Sequence, residues 1–138
     1  MTGILVKPNQ FFFSASRTSS TAINAVGYLI YDQINTNIGG CYETKMGMMT
    51  ATGAGVYYIS FGFFTSENKA FMVDLRKNNT EVVNRSRRLD VGTGRFIIFE
   101  LTTLVYLEVG DYLHIRVESG TAYLESSKQT CIFGYMLG

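Results

Sequence analysis

The sequence predicts an all-β fold, an antiparallel sandwich or jelly roll formed by a single domain. Three observations support this prediction. The chain has fourteen Gly, ten Phe, nine Tyr and a single Pro, a composition that favours strands joined by glycine turns. Apolar runs alternate with turn residues at intervals of about 8 to 12 residues, which indicates roughly nine strands. At 138 residues, the chain has room for one core.

The first half of the chain contains four predicted strands. They cover residues 11–15, 26–31, 42–49 and 56–64. Residues 16–21 form a Ser/Thr-rich loop, residues 35–40 form a turn because Asn and Gly tolerate positive φ, and Gly53 to Gly55 form another turn. The run 56–64 is apolar at both odd and even positions, so we expect both of its faces to be covered. Residues 1–10 are expected to be an N-terminal extension to the domain, which spans 11–138.

The second half contains five predicted strands, at 71–77, 81–87, 96–107, 112–118 and 131–137. In the first of these, Phe71, Val73 and Leu75 alternate with Asp74 and Arg76, which predicts a half-buried strand. The Asn78-Asn79 pair and the 108–111 segment are typical of tight turns, whereas 119–129 is predicted to be a mobile loop.

Composition and charge exclude several classes of protein. The chain is 46% hydrophobic and 17% charged, which excludes intrinsic disorder. A net charge of +1 argues against a nucleic-acid binder with a broad basic face. No apolar stretch reaches the roughly 18 residues that a membrane span needs. Residues 1–10 do not resemble a secretory signal, so either a signal has been removed or the protein stays inside the cell.

The residues needed for catalysis or metal binding are sparse, so we expect no enzymatic activity. The one histidine, His114, lies in the middle of a strand and is expected to be a wall or interface residue. One histidine and two distant cysteines do not make a zinc site. Cys41 and Cys131 are either a disulfide that closes a long loop or two buried thiols, and their spacing leaves both possibilities open.

A basic cluster extends from Arg76 to Arg95. It holds six Lys and Arg against Glu81 and Asp90, a local charge of +4. Arginine binds carboxylate or phosphate with two hydrogen bonds, so the cluster is a candidate site for anionic ligands. The candidate ligand-binding residues are Lys77, Arg85, Arg87 and Arg88. The alternative is a solvated loop, or ion pairs between subunits that involve Glu100, Glu108 or Glu118. Two sequons nearby, at Asn78 and Asn84, would be glycosylation sites in a secreted protein.

Eight residues reproduce the spacing of a family signature, and five of them are residues that the signature permits. The signature runs aromatic, five residues, Asn or Asp, four, aromatic, six, Phe, five, then Gly-x-Tyr-x-Phe-x-aromatic. The eight residues at these positions are Tyr31, Asn37, Tyr42, Met49, Gly55, Tyr57, Ile59 and Phe61. Tyr31, Met49 and Ile59 replace an expected Phe but keep a large apolar group. On these residues, and on the segments 13–17, 107–111 and 132–137, the chain resembles the complement C1q globular domain of the tumour necrosis factor-like superfamily.

The resemblance implies a ten-stranded jelly roll that assembles as a compact homotrimer. We expect the three-fold interface to include Tyr57, Ile59, Phe61, Tyr135 and Leu137, unless these are ordinary core residues. The implied function is a secreted, lectin-like recognition module of innate immunity that binds carbohydrate, lipid or protein ligands. The alternatives are a receptor-binding signalling ligand similar to tumour necrosis factor or the cerebellins, and a structural trimerisation domain of a matrix protein.

The resemblance also raises the question of calcium, which several relatives bind through acidic residues in one loop. The corresponding stretch here is 84–90, where arginines stand in place of oxygen ligands and only Asp90 is a candidate. One carboxylate does not supply the six to eight oxygens that calcium takes, unless three chains share the site on the axis. We therefore expect no cofactor.

Overall fold

The computed structural model describes residues 12–39, 41–65, 70–88, 97–126 and 130–137. Within these ranges strands are the only regular secondary structure, and no helix is long and apolar enough to cross a membrane. The strands are β1 Phe12–Ser16, β2 Thr21–Asn24, β3 Gly27–Tyr28, β4 Gln33–Ile38, β5 Tyr42–Glu43, β6 Met48–Thr50, β7 Gly55–Thr65, β8 Phe71–Lys77, β9 Glu81–Arg88, β10 Ile97–Leu107, β11 Tyr112–Leu124 and β12 Cys131–Leu137. The expected extension at 1–10 lies outside the described residues.

One layer of the sandwich is a five-stranded sheet in the order β10-β7-β12-β1-β4. Every neighbouring pair in it is antiparallel. The longest pairing joins β7 to β10 over their whole lengths, from Gly55 opposite Leu107 to Thr65 opposite Ile97. This sheet joins the first and last described strands of the chain, β1 and β12, side by side.

The other layer is a seven-stranded sheet built around β11. On one side β11 pairs with β8, which pairs with the edge strand β9. On its other side β11 pairs in turn with the short strands β6, β3 and β2. All these pairings are antiparallel, so the predicted all-β jelly-roll sandwich is confirmed.

The core lies between the inner faces of the two sheets. The five-stranded sheet contributes Tyr57, Ile59 and Phe61 of β7, and the seven-stranded sheet contributes Leu75 of β8 and Ile115 of β11. The three signature positions where another residue replaces Phe are all buried: Tyr31, Met49 and Ile59. The added hydroxyl of Tyr31 donates a hydrogen bond to the carbonyl oxygen of Gly62 at 2.9 Å, so its burial leaves no polar group unpaired.

Four local predictions were wrong. Most of the turn predicted at 35–40 is strand, because β4 (Gln33–Ile38) pairs with β1 as an edge strand, and tertiary pairing overrides the low strand propensity of Asn. Gly39, with φ of +91°, does lie in a turn after β4. The predicted strand 42–49 is divided into β5 and β6 around Gly47, whose φ is +66°. The predicted strand 26–31 is reduced to β3, and β2 forms at Thr21–Asn24, where no strand was predicted. Together with β4 and the division of 42–49, this gives twelve strands among the described residues instead of the nine located in the sequence. β11 continues to Leu124 where a mobile loop was predicted.

Candidate functional site

The outer face of the five-stranded sheet carries a broad group of exposed apolar side chains, which we call the apolar face. Each of its members is 37–59% exposed in the single chain. The members are Phe12, Ile38, Val56, Ile98, Leu104, Tyr106, Phe133, Tyr135 and Leu137. They come from all five strands of the sheet. A sheet face with many exposed apolar side chains is typical of a face that binds another protein surface.

Aromatic stacking orders the middle of the apolar face. The Tyr58 ring stacks on the Tyr135 ring at a centroid distance of 5.1 Å and on the Phe133 ring at 6.1 Å. Beside them lies an open depression of about 380 Å³. Its lining includes Phe12, Phe133 and Tyr135, so the face is grooved and not flat.

The predicted interface residues divide into two groups. Tyr57, Ile59 and Phe61 are 0–2% exposed in the single chain, so their assignment to a subunit interface is wrong: they belong to the subunit's own core. Tyr135 and Leu137 do lie on the apolar face, and their contact with another subunit stays a prediction. The error has a simple cause. The alternating positions of β7 are apolar on both faces, and the sequence does not say which face points inward.

The outer face of the seven-stranded sheet carries five alternating charges, which we call the ion ladder: Arg116, Glu118, Arg76, Asp74 and Arg85. Glu118 Oε2 accepts from Arg116 Nη2 at 2.7 Å and from Arg76 Nη2 at 3.1 Å. Asp74 Oδ2 accepts from Arg76 Nη2 and from Arg85 Nη2, both at 3.0 Å. Arg85 Nε also donates to Asp74 Oδ1 at 2.5 Å, so Arg85 binds this carboxylate in a bidentate manner.

Asp74 anchors the ion ladder although its side chain is completely buried. Burial by itself would raise the pKa of the Asp74 carboxyl. Hydrogen bonds and charge from Arg85 and Arg76 outweigh burial and hold this pKa below its usual value. The sequence pattern pointed Asp74 away from the core, but its burial depends on arginines that the fold brings together from neighbouring strands.

The predicted ligand-binding residues are only partly brought together. Arg85 and Arg87 line an open depression of about 560 Å³ with Met72 and Ser86, which we call the arginine depression. Lys77 is instead paired with Asp111 at 3.6 Å. Arg88 follows Arg87 directly on β9, where it lies opposite Phe71 of β8. Because side chains alternate along a strand, Arg88 lies on the face of β9 opposite to that of Arg87.

One of the three glutamates considered for ion pairs between subunits, Glu118, pairs with arginines of its own subunit. Glu118 forms its ion pairs within the subunit, with Arg76 and Arg116, so intersubunit pairing is not needed to balance it. Asp74 and Arg116 were not predicted from the sequence to be members of a charge network. The available signal was the presence of alternating charged residues on β8 and β11, but their register was not known from the sequence.

His114 is buried between two tyrosines on the outer face of the seven-stranded sheet. It is 9% exposed, with the Tyr112 ring stacked on it at 5.3 Å and the Tyr28 ring edge-on at 4.8 Å. Both of its buried ring nitrogens lack a hydrogen-bond partner within the described structure. Burial, and then the positive charge of Arg116, lower the pKa of His114.

The surroundings of His114 predict a stability that depends on pH. Because its pKa is lower in the folded than in the unfolded chain, protonation favours unfolding. The free energy of unfolding should therefore be highest above about pH 6.5 and should decrease as the pH falls below that value. Urea titrations between pH 7.5 and 5 should show this decrease in the native protein and a smaller one in His114→Phe. Equal decreases would contradict the assignment, since the chain has one histidine.

The two cysteines are free, so a bridge between them is not formed. Cys41 is buried, and burial raises the pKa of its thiol to about 11. Burial, and then the charge of Glu100, also raise the pKa of Cys131. Among the described residues, no three His, Cys, Asp or Glu side chains are grouped to hold a metal ion, and the calcium candidate Asp90 lies outside those residues.

The two predicted glycosylation asparagines both have engaged side-chain amides. Asn78 donates to Asp111 Oδ1 and accepts from the Tyr112 backbone N–H, each at 3.0 Å, and its φ is +53°. Asn84 donates to the Thr102 carbonyl oxygen at 3.4 Å and accepts from the Arg85 backbone N–H at 2.9 Å. Modification of either asparagine stays a prediction.

Several solved structures share this fold. The globular domain of zebrafish complement 1qA protein has a TM-score of 0.67 and 16% identity, over 94% of this chain and 96% of that one. Murine APRIL, at pH 5.0, has a TM-score of 0.71 and 13% identity, over 93% and 99%. Eiger TNF from S. frugiperda has a TM-score of 0.62 and 16% identity, over 94% and 92%. Because the sequence identities are 13–16%, these structural similarities show a shared fold and nothing more specific.

Sequence comparisons gave one match and one negative result. A search of curated proteins found no match to this sequence. The family model for the C1q domain matches residues 12–137, which include every described strand. The chain therefore belongs to the C1q domain family.

Proposed function

We propose that this protein is a secreted, non-enzymatic recognition module that assembles as a homotrimer and binds carbohydrate, lipid or protein ligands outside the cell. The observation that carries the proposal is the apolar face. Each of its nine apolar side chains is more than one third exposed in a single chain. Soluble monomers rarely expose contiguous apolar patches larger than a few hundred Å². Membership of the C1q family supports assembly as the explanation.

The occupant of the apolar face is proposed to be a second copy of the same chain. Closed three-fold symmetry would cover this face identically in each of three subunits and leave no copy with an open face. A three-fold contact is heterologous, so it joins two different parts of the surface. The apolar face offers both a depression beside Phe12 and Tyr135 and the edge strand β10 with its exposed Leu104 and Tyr106.

Assembly would leave the seven-stranded sheet available for ligands. The ion ladder and the arginine depression lie on that sheet, in the layer opposite to the apolar face. Three identical sites in one particle would convert weak binding at each site into useful avidity. This division supports a recognition role, in which one sheet assembles the particle and the other faces its ligands.

A binding screen tests the recognition role. Purified protein would be applied to arrays of glycans and lipids, with calcium and with EDTA, and also used to capture receptors from cell membranes. We expect binding to glycans or lipids with dissociation constants on the order of micromolar per site, unchanged by EDTA. Capture of a single membrane receptor at nanomolar affinity, with no glycan or lipid binding, would contradict recognition and indicate a signalling ligand.

A further inference from the structure

The ion ladder has an unequal number of charges. Three arginines alternate with two carboxylates, so the ladder begins and ends on a cation. Asp74 is completely buried and Glu118 is shared by two arginines, so both carboxylates are committed within the ladder. At the Asp74 end the terminal cation is Arg85, whose side chain is 45% exposed. This end of the ladder therefore presents a positive charge to solvent.

A second arginine stands beside this terminus. Arg87 follows Arg85 by two residues on β9, so both side chains lie on the same face of the strand, with Cα atoms about 7 Å apart. Within the described part of the chain, Arg87 is exposed and makes no ion pair. Asp74 occupies Nε and Nη2 of Arg85, which leaves the donors of Nη1. Two guanidinium groups thus border one depression.

We propose that the arginine depression binds an acidic group of a polysaccharide, a carboxylate or a sulfate, between Arg85 and Arg87. The anion would continue the alternation of charge by one more step, and Asp74 would hold Arg85 in position before the ligand arrives. This inference rests on the proposed recognition function and deepens it, since it names the ligand class and the residues that contact it.

The form of the site favours a saccharide over a membrane surface. The depression holds about 560 Å³, room for sugar units as well as an anion, and it is concave. Met72 gives its lining an apolar surface and Ser86 gives it a hydroxyl group. The exposed apolar face that could enter a bilayer lies on the other sheet.

Titration with defined oligosaccharides tests the proposal. The probes are a sulfated heparin tetrasaccharide, a galacturonate tetrasaccharide and neutral maltotetraose, with inorganic sulfate as the free ion and phosphatidylserine vesicles as the membrane surface. We expect the acidic tetrasaccharides to bind, more weakly as NaCl rises, and maltotetraose not to bind. Arg87→Ala should weaken this binding roughly tenfold or more. Arg87→Lys should weaken it less, because it keeps the charge but loses the planar fork.

The matched control is Lys45→Ala, which removes one exposed positive charge outside the depression and should leave the affinity unchanged. Equal binding by the native protein and Arg87→Ala would overturn the proposal, as would equal binding of maltotetraose, or binding to vesicles alone. Sedimentation of the same samples reports assembly separately. Arg87-dependent binding by a monomer would keep this site and overturn the trimer, whereas a trimer without such binding would do the reverse.

Discussion

Asp74→Ala is expected to lower the free energy of unfolding by about 3 to 5 kcal/mol, because it breaks a buried charge network by removing one partner. The completely buried carboxylate accepts hydrogen bonds from both Arg76 and Arg85. Its loss leaves Arg76, which is itself mostly buried, with Glu118 as its remaining partner. Urea unfolding of the native and variant proteins at pH 7 measures the difference.

Glu118→Ala is the matched control, since it also removes a carboxylate that two arginines share. Its effect should be smaller, because Glu118 is 27% exposed and water can replace it. A cost for Asp74→Ala no larger than that for Glu118→Ala would contradict the role assigned to burial. Because the pKa of Asp74 is lowered in the folded chain, its contribution is present above about pH 4 and is lost as the pH falls further.

Leu104→Glu is expected to convert the proposed trimer to a folded monomer. Leu104 is the most exposed side chain of the apolar face, so the single chain should tolerate glutamate there. In the assembly the same carboxylate would be buried without a partner in all three interfaces, at a cost of several kcal/mol per subunit. Sedimentation velocity measures the size, and circular dichroism checks that the sheets persist.

Val109→Glu is the control for this variant. Val109 is also highly exposed, but it lies in the turn between β10 and β11, outside the apolar face. The Val109→Glu protein should therefore sediment as the native protein does. A Leu104→Glu protein that stays assembled, or a Val109→Glu protein that dissociates as completely, would show that the apolar face is not the contact between subunits.

The sequence was sufficient where local turn chemistry bounds an alternating run. β8 and β12 occupy their predicted ranges, 71–77 and 131–137. The turn after β8 contains Asn78 and Asn79, with φ of +53° and +61°, and the turn before β11 contains Gly110, with φ of +91°. These residue types tolerate positive φ, so their positions in the sequence already indicated turns.

The sequence was insufficient where the outcome depends on distant partners. β4 is a strand because β1 lies beside it, although its Asn residues favour a turn. Both faces of β7 are apolar, because one belongs to the core and the other to the apolar face, so hydrophobicity did not distinguish them. The charges of the ion ladder were visible, but their pairing required the register of β8, β9 and β11.

Sedimentation equilibrium of the native protein at micromolar concentration tests whether the apolar face joins three copies of the chain. We expect a single species of three 15.4 kDa subunits, about 46 kDa, across the concentration range. A stable species of 15.4 kDa at the same concentrations would contradict it, because the nine side chains of the apolar face would then remain in water.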